Sequence, residues 1–266
     1  DLPQAEKLQT GANFAEVFGL NDVIIEIENK MFTHRPDCFG QIGVAREISG
    51  IYGQKFEESD WYWKFPEFKD SSGLNLEVFN DCPDKAPRFM AVTMKNVKVQ
   101  QSPLWLQITL MRWGGKTINN VVDLTNYIML LTAQPTHAYD YDKLHNAKLG
   151  VRLAKSGEKA KLLNDKTYEL DEEDIVIVDG KEVVGLAGLM GGSNSEVSAD
   201  TKNIVLECAN FDMYTVRRSS MRHGLFTDAL TRFNKGQSSV QNDRVLAELM
   251  RLCTELSGAE QASKVF

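Results

Sequence analysis

The stretch between residues 150 and 211 contains short apolar segments in close succession, and this feature limits the fold more than any other. Each segment carries the apolar or β-branched run that is typical of a strand, and one has the Asn-Asp turn of a hairpin. The segments are residues 150–155, 161–170, 174–180, 182–190 and 203–211. Most of them follow one another without a helix between them, which disfavours a Rossmann-like alternation. We therefore predict an α+β fold with mixed or antiparallel sheets.

Helical patterns flank this strand-rich part. Helices are predicted in residues 41–52, 104–113, 118–132, 211–224 and 242–258. Ser102 is expected to cap the second of these, and the third should begin extended and turn helical around Thr125. Asp212 would cap the fourth, and Gly258 would end the last, which has an amphipathic pattern. Residues 88–99 alternate as one long strand, so helices should flank the sheets.

The first part of the chain has its own pattern. Residues 22–29 alternate apolar and acidic side chains, which predicts a strand with one buried face. A turn at residues 35–37 and the helix 41–52 follow, so we expect a small strand-turn-helix unit. Residues 54–80 look like a connection with one strand at 74–79. We divide the chain into residues 1–80, 81–240 and a C-terminal helical part, 241–266.

The net charge of −7 argues against a protein that coats nucleic acid, although a local basic patch remains compatible with it. One candidate patch for phosphate contacts exists. It consists of Arg217, Arg218, Arg222, Arg232 and Lys235. A solvated helix face explains the same run more simply.

The four cysteines are far apart and form no CxxC pair, so they predict reduced thiols, no metal site and a cytoplasmic protein. They are Cys38, Cys82, Cys208 and Cys253. No apolar run approaches the roughly 20 residues of a membrane helix, and no signal peptide or initiator Met opens the chain. We expect no membrane partner and a segment of a longer protein.

Several polar or small residues are candidates for chemistry. His137 follows Gln-Pro-Thr in an expected loop, where a functional histidine is plausible, although it would as readily fix that loop by a hydrogen bond. Glu207 interrupts an apolar strand and needs a partner or a ligand, and a salt bridge would satisfy it equally. Gly188 and Gly191 allow close approach of a ligand but are also common turn residues. These patterns alone identify no reaction.

Four blocks follow one another along the chain: INNVVDLTNYIMLLTAQPTHAYDYDKL, KLLNDKTYELDEEDIVIVDG, GLAGLMGGSNSEVSADTKNIVLECANFD and VRRSSMRHGLFTDALTRFNKG. Taken in this order, they resemble the B3/B4 domain of the bacterial-type phenylalanyl-tRNA synthetase beta chain. The segment VIIEIENKMFTHRPDCFGQIGVAREISGIYG is similar to the part that precedes this domain. The resemblance covers residues 22 to 258, so residues 81–240 are identified as a B3/B4-type editing domain and 1–80 as the end of a B1-like segment with its linker.

The resemblance implies a function. In that family the B3/B4 domain hydrolyses tyrosine wrongly attached to tRNA(Phe). His137 and Glu207 match polar editing-site positions, and Glu207 would accept a hydrogen bond from the tyrosine hydroxyl. Thr125 and Asn126 match the lining near the ester. The remaining pocket positions match Ala187, Gly188, Gly191, Thr227 and Ala229.

The resemblance also implies partners. The full enzyme contains two alpha and two beta chains, and its alpha chain carries the ATP and phenylalanine site. ATP and magnesium are therefore expected for the full enzyme, and no cofactor is expected in this segment. The partners would be tRNA(Phe) and the alpha chain.

The chain departs from the family pattern at five positions. They are Ala133 (usually Gly), Tyr139 (usually Phe), Phe226 (usually Arg), Asp228 (usually Glu) and Asn234 (usually Glu). A structural and tRNA-binding module without catalysis is therefore an alternative. A free-standing deacylase is a second alternative, but the upstream resemblance disfavours it. No Ser-His-Asp or Cys-His set is evident, so we expect water, oriented by His137 or by a ribose hydroxyl, to hydrolyse the ester without a covalent intermediate.

Overall fold

A strand that is buried along its whole length organises the fold. The computed structural model describes residues 9–28 and 30–266. Strand β10 (Ile204–Asn210) lies in an antiparallel four-stranded sheet of order β11-β2-β10-β3. Its partners are β2 (Arg88–Lys95) and β3 (Thr136–Asp140), and β11 (Glu260–Gln261) extends the edge beyond β2. An apolar strand with neighbours on both sides satisfies all its backbone groups away from water.

A second sheet of five strands has the order β1-β4-β7-β8-β9. Its strands are β1 (Glu77–Asn80), β4 (Lys148–Leu153), β7 (Ile175–Val178), β8 (Val183–Leu186) and β9 (Met190–Gly191). The β1 and β4 pair is parallel, and the other pairs are antiparallel. The predicted hairpin forms from β5 (Lys159–Lys161) and β6 (Thr167–Glu169), with Asp165 at φ +61° in its turn.

Capping residues mark the start of α6 and the end of α8 among the helices. The bounds are α1 (Phe14–Val17), α2 (Gln41–Ile51), α3 (Asp60–Trp63), α4 (Leu104–Arg112), α5 (Asn120–Thr132), α6 (Met213–His223), α7 (Asp228–Phe233) and α8 (Asn242–Ser257). Asp212 accepts a hydrogen bond from the Thr215 amide at the start of α6, as predicted. Gly258 ends α8 in the left-handed conformation, φ +69°.

The four-stranded sheet separates two apolar cores. Because strand residues alternate between faces, Leu206 and Cys208 of β10 pack in one core with α4, α5 and α8. Val205 and Tyr139 belong to the other core, which the five-stranded sheet shares. The layers are therefore helices, sheet and sheet, which confirms the α+β prediction. Helix α8, which falls in the predicted C-terminal part 241–266, packs on α5 and β10. The domain boundaries stay a prediction.

The predicted strand at residues 22–29 is wrong for its described part. Residues 22–28 form neither helix nor strand and are exposed, with Ile25 at 77% exposure; residue 29 lies outside the described residues. No described strand pairs with this segment, and an amphipathic strand without a neighbour cannot satisfy its backbone groups. The helix predicted after it does form as α2.

Three further local predictions need correction. The long strand from residue 88 ends at Lys95, because Asn96 has a positive φ of +61°. Ser102 does not cap α4; its hydroxyl donates to the buried carboxylate of Asp123 at 2.5 Å. Helix α5 begins at residue 120 rather than near 125, because the Asn119 side chain caps it.

Candidate active site

A cavity of about 270 Å³ lies between the two sheets, with α5 and α7 forming part of its wall. Its lining includes all nine residues predicted for the catalytic and pocket positions. They are Thr125, Asn126, His137, Ala187, Gly188, Gly191, Glu207, Thr227 and Ala229. The volume is at the small end of the range for ligand pockets, so it suits a group of the size of an amino acid.

Glu207 provides the most deeply buried acid of the cavity. It lies on β10 with 5% exposure, and its register partner across the sheet is His137 on β3. Burial raises the pKa of the Glu207 carboxyl to about 7, although the hydrogen bond from Tyr139 acts in the opposite direction. The Tyr139 hydroxyl donates to Oε2 of Glu207 at 2.6 Å, and Oε1 receives no hydrogen bond from the described residues. One of the two carboxyl oxygens of Glu207 thus has a hydrogen-bond donor within the protein itself.

His137 lies on strand β3, not in the expected loop. Burial lowers the pKa of its imidazole to about 4, so the ring is neutral at pH 7. The ring packs edge-on against Tyr139, with 4.6 Å between the ring centroids. Neither ring nitrogen has a hydrogen bond to any residue that the structure describes, so the imidazole does not fix a loop in that way. A neutral imidazole at the cavity wall can donate and accept one hydrogen bond each.

The two predicted pocket glycines have different roles. A Cβ atom at Gly191 would lie 2.6 Å from Nε2 of His137, so the missing side chain makes room for the imidazole. Gly188 has φ +71°, and a Cβ there would point toward Val216 and Phe233 at 3.1 and 3.2 Å. The absence of a side chain at position 188 therefore serves the backbone turn and the core beside it.

The hydroxyl-bearing residues of the lining also hold secondary structure together. Thr125 donates to the Val122 carbonyl in its own helix at 2.7 Å. Thr227 caps α7 by accepting from the Leu230 amide, and it donates to the Leu189 carbonyl at 2.9 Å. These contacts give Thr125 and Thr227 a structural role. The side chain of Asn126, in contrast, makes no hydrogen bond within the described part of the chain.

The five basic residues do not form one patch. Arg232 is only 7% exposed and donates to the Phe39 and Asp228 carbonyls, so it is not an accessible phosphate contact and this prediction is corrected. Arg222 is paired with the carboxylates of residues 171, 173 and 174. The ammonium of Lys235 lies 5.3 Å from the ring centroid of Phe39. Arg217, Arg218 and Arg222 are exposed on the outer face of α6 and line one surface groove there, and of these three Arg222 is the one held by several carboxylates.

Tyr139 also belongs to the site, although the only signal in the sequence is its departure from the family pattern. It lies two residues after His137, and strand periodicity would have put both side chains on the same face. Thr136, which lines the cavity and donates to the Thr125 carbonyl at 3.4 Å, was also missed. That argument requires residues 136–140 to be a strand, whereas the sequence predicted a loop at His137.

The described residues also bear on metal, disulfide and membrane features. No group of three or more His, Cys, Asp or Glu within them could hold a metal ion. All four cysteines are buried free thiols. Among the helices of the described ranges, none has the length and apolar character needed to span a membrane.

Comparison with known proteins gives consistent matches. A family model described as the B3/4 domain matches residues 85–258. The phenylalanine–tRNA ligase beta subunit of Lactobacillus acidophilus is 42% identical over 237 residues, which is 88% of this chain and 29% of that subunit. That of Thermotoga maritima is 36% identical over 253 residues, 95% of this chain and 31% of the subunit. The chain thus spans about three tenths of the length of these relatives.

One solved structure is also similar. It is an N-terminal fragment of the phenylalanyl-tRNA synthetase beta subunit from Pyrococcus horikoshii. The sequence identity is 16% and the TM-score 0.41, with 77% of this chain and 59% of that fragment covered.

Proposed function

The chain belongs to the B3/4 domain family as it occurs in phenylalanine–tRNA ligase beta subunits, and from this premise we propose that its cavity hydrolyses tRNA(Phe) wrongly charged with tyrosine. The observation that carries the proposal is the buried Glu207, whose Oε1 has no described partner inside a small cavity with much apolar lining. An apolar pocket rejects an added hydroxyl only weakly, so a synthetic site confuses the two amino acids. A second site with a polar group can select that hydroxyl instead.

Glu207 supplies the selective contact in this proposal. A tyrosyl ring directed toward β10 brings its hydroxyl to the free oxygen of Glu207, whereas a phenylalanyl ring leaves that oxygen without a partner. Leaving a buried polar group unsatisfied costs about 1–3 kcal/mol. The correct product is therefore bound less tightly and is spared.

His137 serves the hydrolysis step. Its neutral imidazole can accept a hydrogen bond from a water molecule or from a ribose hydroxyl at the ester. Water adds to the carbonyl carbon, the bond from that carbon to the ribose oxygen breaks, and the ribose oxygen takes a proton. Free tyrosine and tRNA(Phe) are released. Positioning alone is a large part of such catalysis, so no covalent intermediate is required.

The test is deacylation of Tyr-tRNA(Phe) and Phe-tRNA(Phe), with a His137→Ala, Glu207→Ala double variant as the control. We expect release of tyrosine only, and its loss in the variant. Because docking of tRNA can require other parts of the enzyme, the assay is run on this protein and on the intact two-chain enzyme. No release by the intact enzyme would contradict the proposal, and a trapped acyl-enzyme would contradict direct attack by water.

A second candidate is a structural and tRNA-binding module without catalysis. The observation that favours it is the 2.6 Å bond from Tyr139 to Glu207, which already satisfies one oxygen of the acid. Under this alternative the intact enzyme binds both charged tRNAs and releases neither amino acid.

The proposal extends to the whole enzyme. It makes tRNA(Phe) and the alpha chain the partners, in an assembly of two alpha and two beta chains. ATP and magnesium would serve the synthetic reaction elsewhere in that assembly, and no cofactor is proposed for this segment. Charging of tRNA takes place in the cytoplasm, so we place the protein there.

A further inference from the structure

Tyr139 is a buried donor at the cavity that the proposed reaction does not use. It lies on β3 with 2% exposure, two residues from His137 and on the same face of the sheet. Burial and the adjacent Glu207 raise the pKa of the Tyr139 phenol well above its ordinary value, so the hydroxyl keeps its proton. This hydroxyl donates to Oε2 of Glu207 at 2.6 Å, at the wall of the cavity.

This bond duplicates the contact that a tyrosyl ligand would make. A carboxylate accepts hydrogen bonds on both oxygens. Tyr139 donates to Oε2, so Oε1, which has no partner among the described residues, is the oxygen left for a ligand hydroxyl. The penalty on a ligand that lacks a hydroxyl is thus reduced in advance, because such a ligand leaves one oxygen of Glu207 unsatisfied rather than both.

We propose that Tyr139 sets the selectivity of the cavity by holding one oxygen of Glu207, which reduces discrimination between aromatic ligands with and without a para-hydroxyl. The inference deepens the proposed function, since it concerns the same cavity. Tyr139 acts through Glu207 and does not itself need to touch the ligand. Removing its hydroxyl should therefore sharpen the preference for tyrosine.

The test uses binding rather than catalysis. The affinities of L-tyrosinamide and L-phenylalaninamide, which differ only by the hydroxyl, are measured by calorimetry for the wild type and Tyr139→Phe. This substitution keeps the ring and its packing. We expect the affinity ratio of tyrosinamide to phenylalaninamide to rise by about five- to tenfold, the equivalent of one hydrogen bond.

A double-mutant cycle identifies the route of the effect. In a Glu207→Ala background, Tyr139→Phe should leave the ratio unchanged, because the shared acid is gone. Thermal unfolding of each variant checks that the fold persists. A ratio that is unchanged or falls in Tyr139→Phe, a rise that persists without Glu207, or failure of both amides to bind would each overturn the inference. Selective binding without any deacylation by the intact enzyme would instead count against the proposed function and leave the role of Tyr139 standing.

Discussion

Gly191→Ala is the smallest change that should disable the site. The added Cβ would lie 2.6 Å from Nε2 and 2.7 Å from Cε1 of His137. Ordinary contacts begin at 3.4 Å, so the ring must move by 3.4 − 2.6 = 0.8 Å or more. The imidazole is the outer end of a side chain and can move without unfolding the sheet. A misplacement of about 1 Å lowers a rate by roughly 100-fold.

The assay is deacylation of Tyr-tRNA(Phe) by the intact enzyme that carries the variant beta chain. Gly185→Ala is the matched control, because Gly185 pairs with Gly191 and lines the same cavity. A Cβ at Gly185 meets nothing closer than 3.6 Å, so its rate should stay near that of the wild type. Unfolding in urea should change by no more than about 1 kcal/mol for either variant. Equal rates for the two variants would refute the assignment of His137.

Four more predictions concern single residues. The pKa of Glu207 is raised from 4.5 to about 7, so the free energy of unfolding of the wild type falls as pH rises through that window. In urea unfolding, the stability of Glu207→Gln relative to the wild type should therefore increase by about 3 kcal/mol as pH rises from 4.5 to 7. The pKa of His137 is lowered from 6.5 to about 4, so the wild type gains stability as pH rises through that window. The stability of His137→Gln relative to the wild type should therefore decrease by about 3 kcal/mol as pH rises from 4 to 6.5. Curves of stability against pH that run parallel for variant and wild type would contradict both pKa values. Asp174→Ala removes the buried acceptor of three side chains and should destabilise the fold by about 3 kcal/mol in the same assay. Arg217→Ala should reduce the salt dependence of tRNA binding by about one counterion, whereas Arg232→Ala should lower stability and leave that slope unchanged.

Local signals in the sequence were sufficient where an element carries its own boundaries. Helices α6 and α8 could be predicted because Asp212 and Gly258 satisfy their ends within a few residues of chain. Strand β10 could be predicted from its apolar run, and Glu207 was recognised as anomalous within it. In these segments the favourable local structure and the tertiary environment agree.

Elements that depend on distant partners could not be predicted in this way. Residues 136–140 form a strand because they pair with the edge of β10, and no feature of the neighbouring sequence indicates that pairing. Residues 22–28 have the pattern of a strand but no described neighbour. The Tyr139 to Glu207 bond joins residues 68 positions apart, so their pairing depends on the register of two strands. The burial of Arg232 follows likewise from its contact with the distant Phe39 carbonyl.

The double-sided pairing of β10 makes the chemistry of the cavity sensitive to insertions and deletions. Neighbouring residues of this strand face opposite cores, and Cys208 follows Glu207 directly. A one-residue deletion that moved the strand by one register would turn each of these two side chains to the opposite face. It would place a thiol in the cavity and a carboxyl group among the helices. Within this strand, the loss of a single codon would therefore replace an acid site by a sulfur site.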